Sequence, residues 1–299
     1  MNTIQFIRLT RPRTLAASLG PVILGAAFGA SQFPLAQNIA LSFLYTLAIL
    51  TCVMCAQIAA NIWNEYFDYK SGLDLKQAAG NSGSIVRDGL SPALIKKLGL
   101  YVSIIPLIIG FFLSAAITWW YLPIGAFCIL ISIIYSAGPY PLSRTPFGEL
   151  ASGLAMGFAI VCITIYAWAG ILTATYLIPA IPSMLLVGAI MTTNNLRDYA
   201  NDLAHGRHTL VILLGESKGL CFLGGLFIFS CLWLSAFIAL AHLSLWTLLA
   251  WISLLPAYKS IHILNQYADS LMMNQAMKFT SIATMLYHIL FAIGLLLGL

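Results

Sequence analysis

The sequence predicts an all-α polytopic membrane protein. Of its 299 residues, 61% are hydrophobic and only 8% are charged, whereas soluble domains average about 25% charged residues. Long apolar segments recur along the chain, with the charged residues gathered between them. A helix needs about 20 apolar residues to span a bilayer core, and the segments offer that length repeatedly. The composition therefore excludes a water-soluble globular domain.

Nine apolar segments divide the chain, and each is predicted to be a transmembrane helix. They cover residues 15–31, 39–63, 98–118, 120–136, 150–170, 175–195, 219–240, 244–263 and 279–298. The fourth segment is short, and the second and sixth run into polar sequence, so counts from eight to ten stay open. The first apolar segment has no clear small-residue cleavage site, which favours a retained helix over a signal peptide. The whole chain, residues 1–299, is interpreted as a single membrane domain.

The charged residues are distributed on one side only. If the N-terminus is cytoplasmic, all 14 basic residues fall on the cytoplasmic face and the four opposite connections contain none. Cytoplasmic loops carry this excess of Lys and Arg. The nine acidic residues lie on the same face. Because carriers keep ionisable groups near the bilayer midplane, the charge distribution disfavours a transporter and indicates polar chemistry at the cytoplasmic face.

Two acidic clusters follow the second and sixth predicted spans. The first contains Asn61, Asn64, Glu65, Asp68 and Asp74, and the second contains Asn194, Arg197, Asp198, Asn201 and Asp202. Within a continuous helix, residues three, four and seven apart share a face, so we expect each cluster to present one polar face. The matched positions predict two related halves of about four helices, residues 10–137 and 145–265, followed by a final helix.

Facing carboxylates repel each other unless a cation neutralises them. Hard oxygen ligands around a partly hydrated ion suit Mg²⁺ that bridges to a diphosphate. Interleaved basic side chains offer contacts to the remaining phosphate oxygens, namely those of Lys70, Lys76, Arg197 and Arg207. Solvated loop charges, with Gly72 and Gly206 ending the helices, are the alternative. The matching of two clusters favours the binding site.

At these residues the chain resembles the UbiA superfamily of intramembrane aromatic prenyltransferases. Its first signature, N-x-x-x-D with a later Asp, is matched by Asn64, Asp68 and Asp74, and its second, D-x-x-x-D, by Asp198 and Asp202. The six-residue step between Asp68 and Asp74 is more similar to the menaquinone branch than to the ubiquinone branch.

Further segments extend the resemblance over residues 8–218. They are residues 11–15, 135–142 and 148–149, together with the surroundings of the second signature, in which Arg207 replaces the usual Lys. The resemblance implies a helical bundle around a central cavity that opens to lipid. It also implies transfer of a polyprenyl group from its diphosphate to an aromatic acceptor, with 1,4-dihydroxy-2-naphthoate expected, in menaquinone biosynthesis.

The resemblance assigns roles to particular residues. Mg²⁺ is expected on Asp68, Asp74, Asp198 and Asp202, with Asn64 as a neutral ligand or orienting partner. The diphosphate is expected on Arg11, Lys70, Arg144, Arg197 and Arg207. Aromatic rings stabilise a cation through their quadrupole, and those expected to stabilise the allylic cation are Tyr66, Tyr135, Tyr140 and Tyr199. No general base is assigned among Glu65, Glu149, His205 and His208.

Several alternatives stay open at this point. The acceptor could instead be 4-hydroxybenzoate, homogentisate or 1,4-dihydroxy-6-naphthoate, and the loop at residues 80–89 could be a lid over the diphosphate or an inert linker. A CDP-alcohol phosphotransferase is rejected, since its D-G-x-x-A-R pattern is absent from the sequence. The expected partners are polyprenyl diphosphate, an aromatic acid and the lipid bilayer, with no nucleic acid. The expected location is a bacterial inner membrane, with the active site facing the cytoplasm.

Overall fold

The computed structural model describes residues 2–33, 38–70, 72, 84–138, 140–241, 243–266 and 270–299. All regular structure within these residues is helical. The α-helices are α1 (Thr3–Thr10), α2 (Ala16–Gln32), α3 (Ile39–Lys70), α4 (Pro92–Ala116), α5 (Tyr121–Ser136), α6 (Gly148–Ser152), α7 (Ala159–Ala169), α8 (Leu177–Arg197), α9 (Tyr199–Ala204), α10 (Leu210–Leu214), α11 (Glu216–Ala241), α12 (Leu254–Gln266) and α13 (Ser270–Leu296). A π-helical turn, Gly153–Phe158, joins α6 to α7, and a 3-10 segment, Leu245–Ser253, leads into α12.

Seven helical segments in the described part of the chain are long and apolar enough to cross a membrane. They are Ile39–Lys70, Pro92–Ala116, Gly148–Ala169, Ala174–Arg197, Glu216–Leu240, Leu245–Gln266 and Leu271–Leu296. The two remaining predicted spans coincide with the 17-residue α2 and the shorter apolar helix α5. The all-α polytopic architecture is thereby confirmed, while the count of nine and the cytoplasmic N-terminus stay predictions.

Helix α3 is longer than a bilayer core is thick and carries the first acidic cluster near its C-terminal end. It runs unbroken for 32 residues, which is about 48 Å at 1.5 Å per residue. A hydrocarbon core is about 30 Å thick, so α3 exceeds it even at a tilt of about 20°. We therefore expect the polar end of the helix, with Asn64, Glu65 and Asp68 on one face, to extend beyond the hydrocarbon.

The second acidic cluster departs from the predicted continuous helix. Helix α8 ends at Arg197, Asp198 leaves the helical conformation (φ −95°, ψ 7°), and α9 begins at Tyr199. The side chain of Asp202 is 2% exposed, whereas that of Asp198 is 34% exposed. The two carboxylates consequently lie in different surroundings, although they are only four residues apart.

The main hydrophobic core lies around α8 and α13. Helix α13 packs against α2, α8, α12 and the 3-10 segment, and α11 also packs against α8. Tyr287 and Phe291 of α13 are fully buried in this core, as is Phe227 of α11. The last spans carry no recognisable motif, yet they supply much of the packing that fixes α8 and, with it, the second acidic cluster.

A close approach between the π-helical turn and α8 sets the position of α6. Gly153 and Gly157 form a small-x-x-x-small pattern, which lets membrane helices pack at short distance. A Cβ atom on Gly157 would lie 2.5 Å from the carbonyl oxygen of Ser183, and one on Gly153 would lie 2.6 Å from that of Met184. Larger residues would push α6 away from α8.

Candidate active site

The two acidic clusters meet at one arginine. Arg207 Nη2 lies 3.9 Å from Asp68 Oδ1, and Arg207 Nη1 lies 3.3 Å from Asp202 Oδ1. All three side chains are mostly buried, with exposures of 11%, 19% and 2% respectively. The guanidinium therefore balances carboxylates contributed by α3 and α9, which come from opposite halves of the sequence.

Local backbone structure explains the position of Arg207. Gly206 adopts a left-handed conformation (φ 68°) that ends α9, a conformation that glycine reaches without steric cost. The amide of Arg207 then donates to the carbonyl oxygen of Asp202 at 3.0 Å, and the amide of His208 donates to that of Arg144 at 3.0 Å. The turn thus directs Arg207 back toward α9 and attaches the connection after α5 to the same site.

Burial changes the acidity of Asp202. Removal from water raises the pKa of this carboxyl group to about 6, and the neighbouring charge of Asp198 adds to the increase while Arg207 opposes it. A buried carboxylate is costly unless a cation accompanies it. Asp202 therefore needs Arg207 or a bound cation in order to ionise fully near neutral pH.

Asp198 has a separate partner. Arg197 Nη2 lies 2.5 Å from Asp198 Oδ2, and Arg197 also donates to the side-chain oxygen of Asn194 at 2.9 Å. Arg197, a predicted phosphate ligand, and Asp198, a predicted metal ligand, therefore form an ion pair with each other. Both residues keep their expected positions at the end of α8, and their roles stay predictions.

Arg11 reaches the first cluster through Glu65. Arg11 Nη2 lies 3.6 Å from Glu65 Oε2, and Glu65 Oε1 accepts a hydrogen bond from the backbone amide of Ile85 at 3.2 Å. The charges of Arg11 and Arg144 both act on Asp68. Glu65, which had no assigned role, is 1% exposed. Through these two contacts it links α3 to the N-terminal segment and to the described part of the loop at residues 80–89.

A second buried pair joins α6 to α8. Asn195 Nδ2 donates to Glu149 Oε1 at 2.7 Å, and each residue is 4% exposed. The hydroxyl oxygen of Tyr135 would lie 3.6 Å from a Cβ atom on Gly148, the residue before Glu149, and the charges of Glu149, Arg207 and Asp68 all act on this hydroxyl. From the sequence, Glu149 was one of four titratable candidates for a general base, none of which was assigned, and Asn195 was given no function. The signals were the titratable side chain of Glu149 and the position of each residue beside a family motif.

The remaining predicted site residues take varied positions. Tyr66 packs edge-on against Trp63 and Phe67 in a hydrophobic cluster near α1, a contact typical of core packing. The other predicted residues are distributed as follows: Tyr199 packs against the main core, Tyr140 is 88% exposed, Lys70 is exposed at the end of α3, and Asn64 is half-buried one turn before Asp68. Asp74 and Lys76 lie outside the described residues, as does part of the loop at residues 80–89.

The donors in this site suit a magnesium diphosphate. In the described part of the chain, no group of three His, Cys, Asp or Glu side chains is close enough to hold a metal alone. Asp68 and Asp202 nevertheless provide hard oxygen ligands, and Mg²⁺ typically combines one or two carboxylates with substrate phosphates. Arg207 Nε and Arg11 Nη2 are buried and have no hydrogen-bond partner among the described residues. Those N–H groups are suited to phosphate oxygens.

The helical bundle and this polar site together define a class of protein. It is an integral membrane protein that gathers carboxylates and arginines at one end of an apolar bundle, an arrangement suited to a lipid-linked diphosphate. The model of the UbiA prenyltransferase family matches residues 18–290. The chain belongs to this family.

Relatives along the whole chain agree with this assignment. The 1,4-dihydroxy-2-naphthoate octaprenyltransferase of Bacillus subtilis (strain 168) is 34% identical over 291 residues, covering 97% of this chain and 92% of that protein. The protein of the same name in Escherichia coli (strain K12) is 27% identical, covering 99% and 96%.

Solved structures share the fold at low sequence identity. A UbiA homologue from Archaeoglobus fulgidus bound to DMAPP and Mg²⁺ superposes with a TM-score of 0.64 at 15% identity, covering 97% of this chain and 99% of that one. A digeranylgeranylglyceryl phosphate synthase gives a TM-score of 0.63 at 18% identity, covering 97% of each chain. These similarities establish a common helical architecture.

Proposed function

We propose that this protein transfers a polyprenyl group from polyprenyl diphosphate to 1,4-dihydroxy-2-naphthoate in menaquinone biosynthesis, with Mg²⁺ as cofactor. The observation that carries the proposal is the meeting of Asp68 and Asp202 at Arg207 in a buried site. The naphthoate acceptor is proposed because full-length relatives bear that activity in their names.

The residues divide into two groups by chemistry. The metal is held by Asp68 and Asp202, together with Asp74 and Asp198, which are nearby in sequence. Asn64 orients these metal-binding carboxylates. Arg11, Arg144 and Arg207, supported by Lys70 and Arg197, bind the phosphate oxygens. Mg²⁺, when bound, draws electron density from the diphosphate leaving group.

Exclusion of water protects the allylic cation that forms as diphosphate leaves. Tyr135 is our candidate for stabilising this cation, since the charges of Asp68 and Arg207 both act on its hydroxyl. An aromatic face near a cation contributes about 0.5–2 kcal/mol. The prenyl chain occupies the apolar interior of the bundle, where the helices supply almost no charge.

The proposed location is a bacterial inner membrane with the site facing the cytoplasm. Bacterial relatives support the inner membrane, and the one-sided distribution of Lys and Arg supports the cytoplasmic orientation. Mapping the accessibility of single cysteines introduced at exposed Tyr140 and at the opposite connection near Leu172 tests it. Labelling of the position 140 cysteine from outside intact cells contradicts the orientation.

Purified protein in detergent tests the reaction itself. Radiolabelled geranylgeranyl diphosphate is incubated with 1,4-dihydroxy-2-naphthoate, 4-hydroxybenzoate, homogentisate or 1,4-dihydroxy-6-naphthoate, with Mg²⁺ or with EDTA. The expected product is a prenylated naphthoate derivative that forms only with Mg²⁺. Preference for another acceptor changes the pathway, and failure to bind the diphosphate contradicts prenyl transfer altogether.

A further inference from the structure

One oxygen of the Glu149 carboxylate accepts no hydrogen bond from the described residues. Glu149 Oε1 accepts a hydrogen bond from Asn195 Nδ2 at 2.7 Å. Glu149 Oε2 is buried and has no hydrogen-bond partner among the described residues. Leaving a buried polar atom unpaired costs about 1–3 kcal/mol, and more when the group is charged. A group from outside the protein is therefore the natural partner of this oxygen.

The position of Glu149 relates it to the diphosphate site without making it part of that site. A Cβ atom on Gly148, the residue before Glu149, would lie 3.6 Å from the hydroxyl oxygen of Tyr135, and the charges of Glu149, Arg207 and Asp68 all act on that hydroxyl. Arginine side chains offer N–H groups to phosphate, whereas Glu149 offers an acceptor, which anionic phosphate oxygens would repel. The ligand that suits Oε2 is consequently a neutral donor held next to the diphosphate.

The fold holds Glu149 rigidly. It lies in the first turn of α6, and the close contacts of Gly153 and Gly157 with α8 fix that helix at its other end. Asn195, on the same α8, fixes the carboxylate itself. Functional groups gain precision when packing and hydrogen bonds lock their rotamers. Oε2 is therefore directed at a defined point.

We propose that Glu149 Oε2 accepts the ring hydroxyl of the aromatic acceptor and serves as its general base, with Asn195 as the positioning residue. This inference rests on the proposed prenyl transfer. A ring carbon bonds to C1 of the prenyl group while the C1–O bond breaks, and its electron pair leaves with the diphosphate. The hydroxyl proton moves to Glu149 Oε2, leaving a ring carbonyl.

The second half of the step restores both partners. The substituted ring carbon loses its hydrogen as H⁺, or its carboxyl group as CO₂, and the electron pair returns to the ring. The carbonyl oxygen then takes the proton back from Glu149. The base ends as it began, and the net products are the prenylated hydroxyarene, diphosphate, and either a proton or CO₂.

A Glu149→Gln variant tests the base. Gln keeps the size of Glu, but when its oxygen faces Asn195 its NH₂ group faces the acceptor and cannot take a proton. We expect kcat for transfer to fall by about 10²–10⁴-fold, the contribution of a general base, while Mg²⁺-dependent binding of geranylgeranyl diphosphate stays within about twofold. Glu216→Gln, at an exposed position at the start of α11, is the matched control and keeps full activity.

A binding measurement keeps the test independent of turnover. Affinities for 1,4-dihydroxy-2-naphthoate and for 2-naphthoate, which lacks the hydroxyls, are compared in both proteins with geranylgeranyl diphosphate present. The natural protein prefers the dihydroxy compound by at least about tenfold, and Glu149→Gln reduces this preference below about threefold.

Different outcomes distinguish a failure of the proposed prenyl transfer from a failure of the role of Glu149. If the natural protein binds diphosphate but neither binds nor modifies any aromatic acid, the proposed function fails, and the inference fails with it. If the natural protein is active and Glu149→Gln retains transfer within about threefold, only the role of Glu149 fails. If Glu149→Gln and Glu149→Asp both lose diphosphate binding, Glu149 is a structural residue and the inference is overturned.

Discussion

The two halves of the site use the same spacing for different purposes. Asn61 and Asp68 are seven residues apart on α3, as are Asn195 and Asp202 around the end of α8, and seven residues correspond to about two helical turns. Both aspartates contact Arg207. The asparagines differ: Asn61 donates to the carbonyl oxygen of Thr10 at 2.9 Å, whereas Asn195 donates to a buried carboxylate.

In the first half of the site the polar groups around the asparagine bond to each other, and we call it the closed half; in the second half one carboxylate oxygen has no partner among the described residues, and we call it the open half. Asn61 also donates to the hydroxyl of Thr14 at 3.0 Å and accepts from Gln57 at 3.3 Å, so protein groups occupy both ends of its amide. In the other half, the chain of contacts ends at Glu149 Oε2, which has no partner in the described structure. The first half anchors the N-terminal segment, and the second leaves a group for a substrate.

The largest expected effect tests what the halves share. Asp68→Asn and Asp202→Asn should each lower kcat/KM for prenyl transfer by about 10²–10³-fold, the range for losing one electrostatic contact to transition-state charge. Assays with labelled diphosphate over a range of Mg²⁺ concentrations measure the loss, with Glu216→Gln as control. Activity retained in one of the two variants would show that only one half holds the metal.

The arginine between the halves supports stability as well as binding. Arg207→Leu removes the cation that lies between the carboxylates of Asp68 and Asp202, and removing one partner of a buried ion pair costs about 3 kcal/mol. We expect a lower thermal unfolding midpoint in EDTA that Mg²⁺ and geranylgeranyl diphosphate partly restore. Exposed Lys218→Leu, near the start of α11, is the control. An unchanged midpoint would contradict the bridging role.

Displacing α6 should affect the open half alone. A Cβ on Gly157 would lie 2.5 Å from the carbonyl oxygen of Ser183, and overpacking of this kind costs about 1–3 kcal/mol. Gly157→Ala should raise KM for the acceptor more than KM for the diphosphate, because Glu149 moves while Asp68 does not. Gly225→Ala, whose Cβ meets nothing within 4 Å, is the matched control. Equal increases in both KM values would contradict this separation.

The smallest effect distinguishes the two asparagines directly. Asn61→Ala removes hydrogen bonds to Thr10 and Thr14 and should lower stability by about 1–2 kcal/mol, with kcat changed less than about threefold. Asn195→Ala should lower stability to a similar extent and also lower kcat by at least about tenfold, because Glu149 loses its positioning partner. Thermal unfolding and steady-state assays on the two variants provide the comparison, which fails if both change kcat equally.

The sequence predicted the helices and the two clusters well, for physical reasons. Apolar length and charge placement are local properties of the chain, and α3 is continuous, so the face shared by Asn64 and Asp68 followed from helical spacing. The break at Asp198 was not predicted, because helical spacing alone does not show where a helix is interrupted. At the break, Arg197 pairs with its sequence neighbour Asp198.

Pairings across the fold could not be read from spacing. Arg207 was expected to bind phosphate. Its position between Asp68 and Asp202 could not be predicted, because it depends on how α3 and α9 pack. The contact of Glu149 with Asn195 joins residues 46 positions apart and depends on the glycines of the π-helical turn. Four-helix repetition of residues 10–137 and 145–265 stays a prediction, although the matched seven-residue spacings favour it.

The length of α3 has a consequence for what leaves the protein. Since α3 is longer than the hydrocarbon core is thick, we expect its polar end, and with it the proposed reaction, at the boundary between membrane and water. Released diphosphate dissolves in the aqueous phase, while the prenylated ring, now far more oily than its precursor, partitions into the membrane. The two products leave the site in opposite directions. The reverse reaction therefore requires diphosphate to return from water and the prenylated ring to return from the membrane.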